Sequence, residues 1–218
     1  PVLLFDLPAQ EGEKNAIVHK ALANLQKIKP APLGVAADAA LIQAANYDED
    51  LDKLRGCDLI IEAIAERLDW KESLYQKIAP FVAEHAILAT NTSGLSINTL
   101  ASVLPTQLQP RFCGIHFFNP PRYMSLVEII PTNHTSATVQ DELEGFVTST
   151  LGKCVVRAQD TPNFVANRIG IANISENIGQ HHVNSGQGHG ANHTLCFRYI
   201  FCLGQLNKRG GDFRMFVS

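Results

Sequence analysis

The sequence predicts an α/β protein: a parallel sheet with helices on both faces, followed by an irregular tail. Three observations predict it. Strand-like and helix-like segments alternate along residues 1–160. The strand-like runs are apolar throughout instead of alternating, as expected where both faces of a strand are covered. Beyond about residue 172 no period is sustained, and Gly, Asn, Gln and His become frequent.

Each element has its own local reason. Residues 2–5 are a short apolar run that ends in Asp6. A helical period over 11–28 puts Ile17, Ala21, Leu22 and Leu25 on one face, and "KPAPLG" breaks it. Residues 42–45 fit a short strand, and "DEDLDKLRG" a short helix closed by Gly56. "CDLIIEAIAE" is a strand, nearly all apolar over 59–64. Helical spacing returns over 69–82, with Asp69 near its start. "AILATNTS" is the next strand, and 96–103 a short helix with Pro105 beyond it. Strands follow over 112–118 and 126–130. Ser136 opens a helix that ends at Gly152, "CVVRA" is a strand, and Pro162 begins another helical stretch. The only apolar run of the tail lies around 197–203.

The 218 residues, 45% of them hydrophobic, suffice for one sizeable core or one domain and part of a second. A net charge of −3 and a pI near 6.3 offer no basic field for nucleic acid. No apolar run reaches the ~20 residues of a membrane-spanning helix. The five cysteines are odd in number and form no CxxC pair, so a reduced, cytoplasmic protein is expected. The chain opens on "PVLLFD" without Met or lead-in, which predicts that upstream residues are missing.

"GIHFFNPPRYMSLVEII" (114–130) raises the functional question. His116 and Glu128 each sit inside an apolar run, where a lone charge is costly. The two prolines between the runs let the chain turn and bring them side by side. A His held by a carboxylate is a proton-transfer device: the base can take a hydroxyl proton while the carboxylate fixes its tautomer. Spacing alone favours a structural pair that merely satisfies itself.

At this stretch the sequence resembles the L-3-hydroxyacyl-CoA dehydrogenase family. "IEAIAERLDWK" (61–71), "ATNTSGLSI" (89–97), "LGKCVV" (151–156) and "DTPNFVANRI" (160–169) agree with it, in the family's order, over residues 1–171. The resemblance implies a Rossmann-like NAD-binding domain over 1–160, the start of a helical domain over 161–174, and an irregular, non-native tail over 175–218. It implies NAD-dependent oxidation of L-3-hydroxyacyl-CoA to 3-ketoacyl-CoA in fatty-acid β-oxidation, with an acyl-CoA substrate. It also implies a parent that is a homo-oligomer or part of a multifunctional chain.

By the same resemblance His116, Glu128, Ser93 and Asn167 are the catalytic set. Asp6, Ile64, Ala65, Glu66, Lys71, Ser93 and Asn119 face the cofactor. A hydroxyl and an amide can hold an alcohol or carbonyl oxygen without titrating, which suits Ser93 and Asn167. A carboxylate that ends a strand, as Asp6 does, can accept from both ribose hydroxyls and favours NAD over NADP. Plainer readings stand beside these. Ser93 fits a helix cap, Asn167 an exposed helical residue, Asn119 a turn residue before Pro120, Asp6 a strand end, and Glu66–Lys71 a solvated charge pair.

Two departures lower the expectation for the chain as it stands. The family's first strand and glycine-rich turn lie upstream of Asp6, and the tail does not resemble the helical domain. The sheet should then have an unpaired position beside residues 2–5. The alternative function is a truncated, non-catalytic relative with at most ligand or metal binding. His181, His182, His189, His193, Cys196 and Cys202 have spacings compatible with zinc but no accompanying motif, and no metal is assigned.

Overall fold

A computed structural model describes residues 2–165 and 199–203. Its strands are β1 (Val2–Asp6), β2 (Ile42–Asn46), β3 (Leu59–Ala63), β4 (Ile87–Thr90), β5 (Phe112–Phe117), β6 (Leu126–Pro131), β7 (Cys154–Arg157) and β8 (Tyr199–Leu203). Its α-helices are α1 (Ala16–Leu25), α2 (Leu68–Ile78), α3 (Ile97–Ser102) and α4 (Ala137–Ser149), with short 3-10 turns between them. One sheet takes the order β2-β1-β8-β3-β4-β5-β6-β7.

Alternate strand residues feed two cores. Leu59, Ile61, Ile87, Ala89, Cys113, Ile115, Val127 and Ile129 pack with Val18 and Leu25 of α1 and with Val139, Leu143 and Val147 of α4. Ile60, Leu88, Phe112 and Ile130 pack on the other face with Leu74, Tyr75 and Ile78 of α2 and Ile97 and Leu100 of α3. The all-apolar strands are therefore buried on both sides, as their composition demands. The i, i+4, i+8 spacing of Val139, Leu143 and Val147 makes α4 amphipathic. The Ser136 hydroxyl caps it by accepting from Val139 N–H at 3.3 Å, and Gly152 (φ +65°) lies just beyond it.

Gly114 of β5 lies against Ile97 of α3, with no room for a side chain. A Cβ there would lie 3.0 Å from Ile97 Cδ1 and 3.1 Å from Ile130 Cβ. Gly114→Ala is expected to destabilise the fold by about 1–3 kcal/mol, read from urea denaturation; a neutral effect would mean that α3 rides freely on the sheet.

Several expectations need correction. The first helix is shorter than 11–28, because Gly12 takes a left-handed φ of +76° that no helix accommodates. The sheet is not parallel throughout. β1 and β2 are parallel, as are β3, β4 and β5, but β6 runs antiparallel to β5 and β7 parallel to β6. The connection 118–125 is too short for a parallel crossover, so reversal is forced.

The expected gap beside β1 is filled. β8 lies between β1 and β3 and runs antiparallel to both, satisfying the backbone groups of two strand edges at once. It comes from the one apolar run of the tail; the rest of 175–218 lies outside the described residues. Residues 162–165 form turns, and 166–174 also lie outside. Cys113 and Cys154 are free thiols, and burial pushes Cys113 up to about 12. Cys57 is disulfide-bonded, against the expectation that all five are reduced. Distance in space, which sequence spacing does not report, decides pairing. No described helix is long and apolar enough to cross a membrane.

Candidate active site and cofactor cleft

The carboxyl ends of β1 to β5 make one edge of the sheet, and most candidate residues gather along it. β6 begins at the same edge because it runs backwards.

His116 and Glu128 are direct cross-strand partners in the β5–β6 ladder. Side chains opposite each other on one face come within contact distance, and here His116 Nδ1 lies 2.8 Å from Glu128 Oε2. His116 is 6% exposed and Glu128 fully buried. The other carboxylate oxygen, Oε1, accepts the Val165 N–H at 2.9 Å. The imidazole packs between Phe118 (ring centroids 4.6 Å apart) and Phe164 (5.5 Å). With Nδ1 committed as donor to a carboxylate, Nε2 carries the lone pair. Such an arrangement can act as an oriented base.

Ser93 and Glu66 meet where the chain leaves β4 and β3. Glu66 leaves the β3–α2 turn and accepts from Ser93 N–H at 2.6 Å and from the Thr92 hydroxyl. Ser93 does not cap α3; the Ser96 hydroxyl does, accepting from Thr99 N–H at 3.2 Å. The imagined Glu66–Lys71 pair does not exist. Lys71 is fully buried and donates instead to Glu62 Oε1 at 2.6 Å. Glu62, on β3, also accepts from Ile64 N–H (2.7 Å), Tyr75 O–H (2.8 Å) and Thr90 O–H (2.7 Å). Desolvation first, then the Glu62 charge, raises the Tyr75 phenol well above its ordinary pKa, so it stays a donor. Lys71 thus supports the turn that carries Ile64 and Ala65 from beneath. Sequence reading missed Glu62, although one carboxylate inside "LIIEAIA" is the same signal that exposed His116 and Glu128.

A cavity of about 320 Å³ opens at this edge, lined by Asp6, Leu7, Tyr47, Ile64, Ala65 and Trp70 among others. Asp6 is 2% exposed and accepts from Leu7 N–H at 2.7 Å. Tyr47 went unpredicted. Its hydroxyl is buried without a hydrogen-bond partner among the described residues. Burial, and next the Asp6 and Glu62 charges, raise its pKa well above the ordinary value. Three of the residues assigned to the cofactor, Asp6, Ile64 and Ala65, therefore share one largely apolar cleft with a carboxylate at its rim. That chemistry fits an adenosine group. Between Asp6 and Ala63 the described edge holds the start of β8, and no described residue forms a glycine turn there.

Asn119 is exposed just beyond β5. Asn167 lies outside the described residues, as do His181, His182, His189, His193 and Cys196, while Cys202 lies in β8. No group of three His, Cys, Asp or Glu among the described residues could hold a metal.

Asp160 opens the stretch "DTPNFVANRI". It accepts from Ile97 N–H (2.9 Å), Asn98 N–H (2.8 Å), Asn98 Nδ2 (2.8 Å) and Ser96 O–H (2.7 Å) at the start of α3. Its partial burial favours the neutral acid, but these four bonds outweigh that and hold its pKa below the usual carboxylate value.

Residues 1–161 match the NAD binding domain family of 3-hydroxyacyl-CoA dehydrogenase. A Rickettsia felis protein named "Putative fatty acid oxidation complex trifunctional enzyme" is 45% identical over 170 residues, which are 78% of this chain and 24% of that protein. The mitochondrial hydroxyacyl-coenzyme A dehydrogenase of Rattus norvegicus is 45% identical over 124 residues, 57% of this chain and 38% of the other. The crystal structure of Escherichia coli 3-hydroxybutyryl-CoA dehydrogenase superposes with a TM-score of 0.65 at 30% identity, over 80% of this chain and 36% of that one. The chain thus spans only a part of the length of each of these relatives.

Proposed function

From the premise that this chain belongs to the 3-hydroxyacyl-CoA dehydrogenase family through its NAD binding domain, we propose that it serves the NAD-dependent oxidation of an L-3-hydroxyacyl-CoA to the 3-ketoacyl-CoA. The observation that carries the reading is the buried His116–Glu128 contact of 2.8 Å, with Nε2 left for a substrate hydroxyl. His116 Nε2 takes the hydroxyl proton. Glu128 keeps Nδ1–H in place and balances the imidazolium that forms. Ser93, at the end of the β4 connection, holds the reacting oxygen by its hydroxyl. Asp6, Ile64 and Ala65 hold the adenosine end of NAD, and Glu66, Lys71 and Asn119 shape the rest of its path. NAD, when bound, supplies the hydride acceptor. The test is oxidation of L-3-hydroxybutyryl-CoA with NAD or NADP, followed by reduced-cofactor fluorescence, on the longest polypeptide containing this chain. Absence of NAD-dependent oxidation there overturns the reading.

A second reading has one observation in its favour. β8 runs antiparallel at the centre of the sheet and puts its first residue, Tyr199, opposite Ala63. A pyrophosphate needs a nest of backbone N–H groups at a helix N-terminus near that point. On this reading the 218-residue chain alone binds NAD weakly and does not turn over. Calorimetry on that chain decides: micromolar or tighter NAD binding refutes the second reading.

A further inference from the structure

Segment 160–165 is tied down at both ends. At one end, both oxygens of Asp160 are engaged by the first residues of α3, through Ile97 N–H, Asn98 N–H, Asn98 Nδ2 and Ser96 O–H at 2.7–2.9 Å. Asn98 is itself fixed, since its Oδ1 accepts the Asn133 N–H at 2.9 Å just beyond β6. At the other end, Val165 N–H donates to Glu128 Oε1 at 2.9 Å. Between the ends, Asn163 and Phe164 adopt left-handed φ values of +63° and +47°. An aromatic residue disfavours that conformation, so the flanking bonds must hold it. What it achieves is the placement of the Phe164 ring, 2% exposed, with its centroid 5.5 Å from that of His116.

We propose that Asp160 is a positioning residue for the His116–Glu128 pair, acting through the strap 160–165. The proposal rests on the functional reading above. A carboxylate bonded through one oxygen can rotate about its last torsion, and the imidazole facing it then loses a fixed acceptor. Glu128 has His116 on Oε2 and Val165 N–H on Oε1, so its plane is set. The Val165 amide is set in turn by where the strap starts, and Asp160 decides that. The Phe164 ring closes one side of the imidazole and limits the water that reaches Nδ1–H. Removing the Asp160 carboxylate releases the strap from α3 without touching His116 or Glu128.

The test uses the whole chain labelled with 15N-histidine, the His116 signals being assigned with His116→Gln. In the native chain the Nδ1–H proton exchanges slowly and a single tautomer is seen. In Asp160→Ala, under conditions where far-UV circular dichroism shows the native fold, Nδ1–H exchange should quicken at least about tenfold and the tautomers should mix. Asp160→Asn, which keeps one acceptor oxygen for the α3 amides, should fall between. Ser136→Ala, which removes the α4 cap, should lower stability and leave the His116 signals unmoved. If Asp160→Ala does not fold, Asp160→Asn carries the test, and unmoved signals in it overturn the proposal. Unmoved signals in a folded Asp160→Ala overturn it equally. In a polypeptide that turns over, Asp160→Ala should lower kcat about tenfold to a hundredfold with KM for NAD little changed. A wild type without turnover sinks the functional reading alone, because the histidine signals report the strap independently of activity.

Discussion

Glu128→Gln is expected to cut 3-hydroxyacyl-CoA oxidation by roughly two to four orders of magnitude, the span for losing an oriented acid–base pair. The geometry gives a specific reason. Val165 N–H demands an acceptor at the Oε1 position, so the amide oxygen of Gln must go there. Its NH2 group then faces His116 Nδ1, which can only accept. The proton moves to Nε2, and a ring protonated on Nε2 cannot take the hydroxyl proton. His116→Ala should cost at least as much. Neither change touches the cleft at Asp6, so NAD affinity should stay near the wild-type value by fluorescence titration. Steady-state rates for Glu128→Gln within a few-fold of wild type would make the pair structural and the assignment of the base wrong.

The second large effect concerns stability. Lys71→Met is expected to cost about 3–5 kcal/mol in urea denaturation, because it strands a buried carboxylate. Both Lys71 and Glu62 are fully buried, and they are 2.6 Å apart. Tyr75, Thr90 and Ile64 N–H also lean on Glu62, so no water replaces the lost ammonium at low cost. Adding Glu62→Gln to Lys71→Met removes the stranded charge, and the double variant should be more stable than Lys71→Met alone. A loss below about 1 kcal/mol for Lys71→Met, the range of exposed pairs, would show that solvent reaches this network.

Particular residues show how far the sequence could be read. β3, β4 and β5 were legible because both their faces are covered, so apolar composition alone located them. His116 and Glu128 were legible because an ionisable side chain in such a strand needs a partner. By that rule Glu62 was also legible; its partner was not, since Lys71 belongs to a helix nine residues on and only the fold brings the two together. The reversal of β6 was written in the shortness of 118–125, which the expectation of a parallel sheet passed over. β8 was beyond reach: five residues of apolar chain in a Gly- and Asn-rich tail carry no sign of which edge they will join. Tyr47 shows no pattern at all, because its importance comes only from lying beside Asp6 and Glu62 in space.

The hairpin of β5 and β6 has an evolutionary consequence. The pairing of His116 with Glu128 is set by the backbone ladder, with Ile115 against Ile129 and Gly114 against Ile130. A slip of one residue would turn Glu128 to the opposite face and into the α1–α4 core, so selection on packing already protects the pair. The loop between the strands is held by side chains instead of by a ladder. Lys153 Nζ grips the carbonyls of Pro121 (2.5 Å) and Met124 (2.7 Å), and the loop's own Arg122 Nη1 and Tyr123 O–H donate to the Ala31 carbonyl at 2.8 and 2.9 Å. The constraint on the loop therefore falls on three donors, Lys153, Arg122 and Tyr123, while the register of His116 against Glu128 answers to the packing of the whole hairpin.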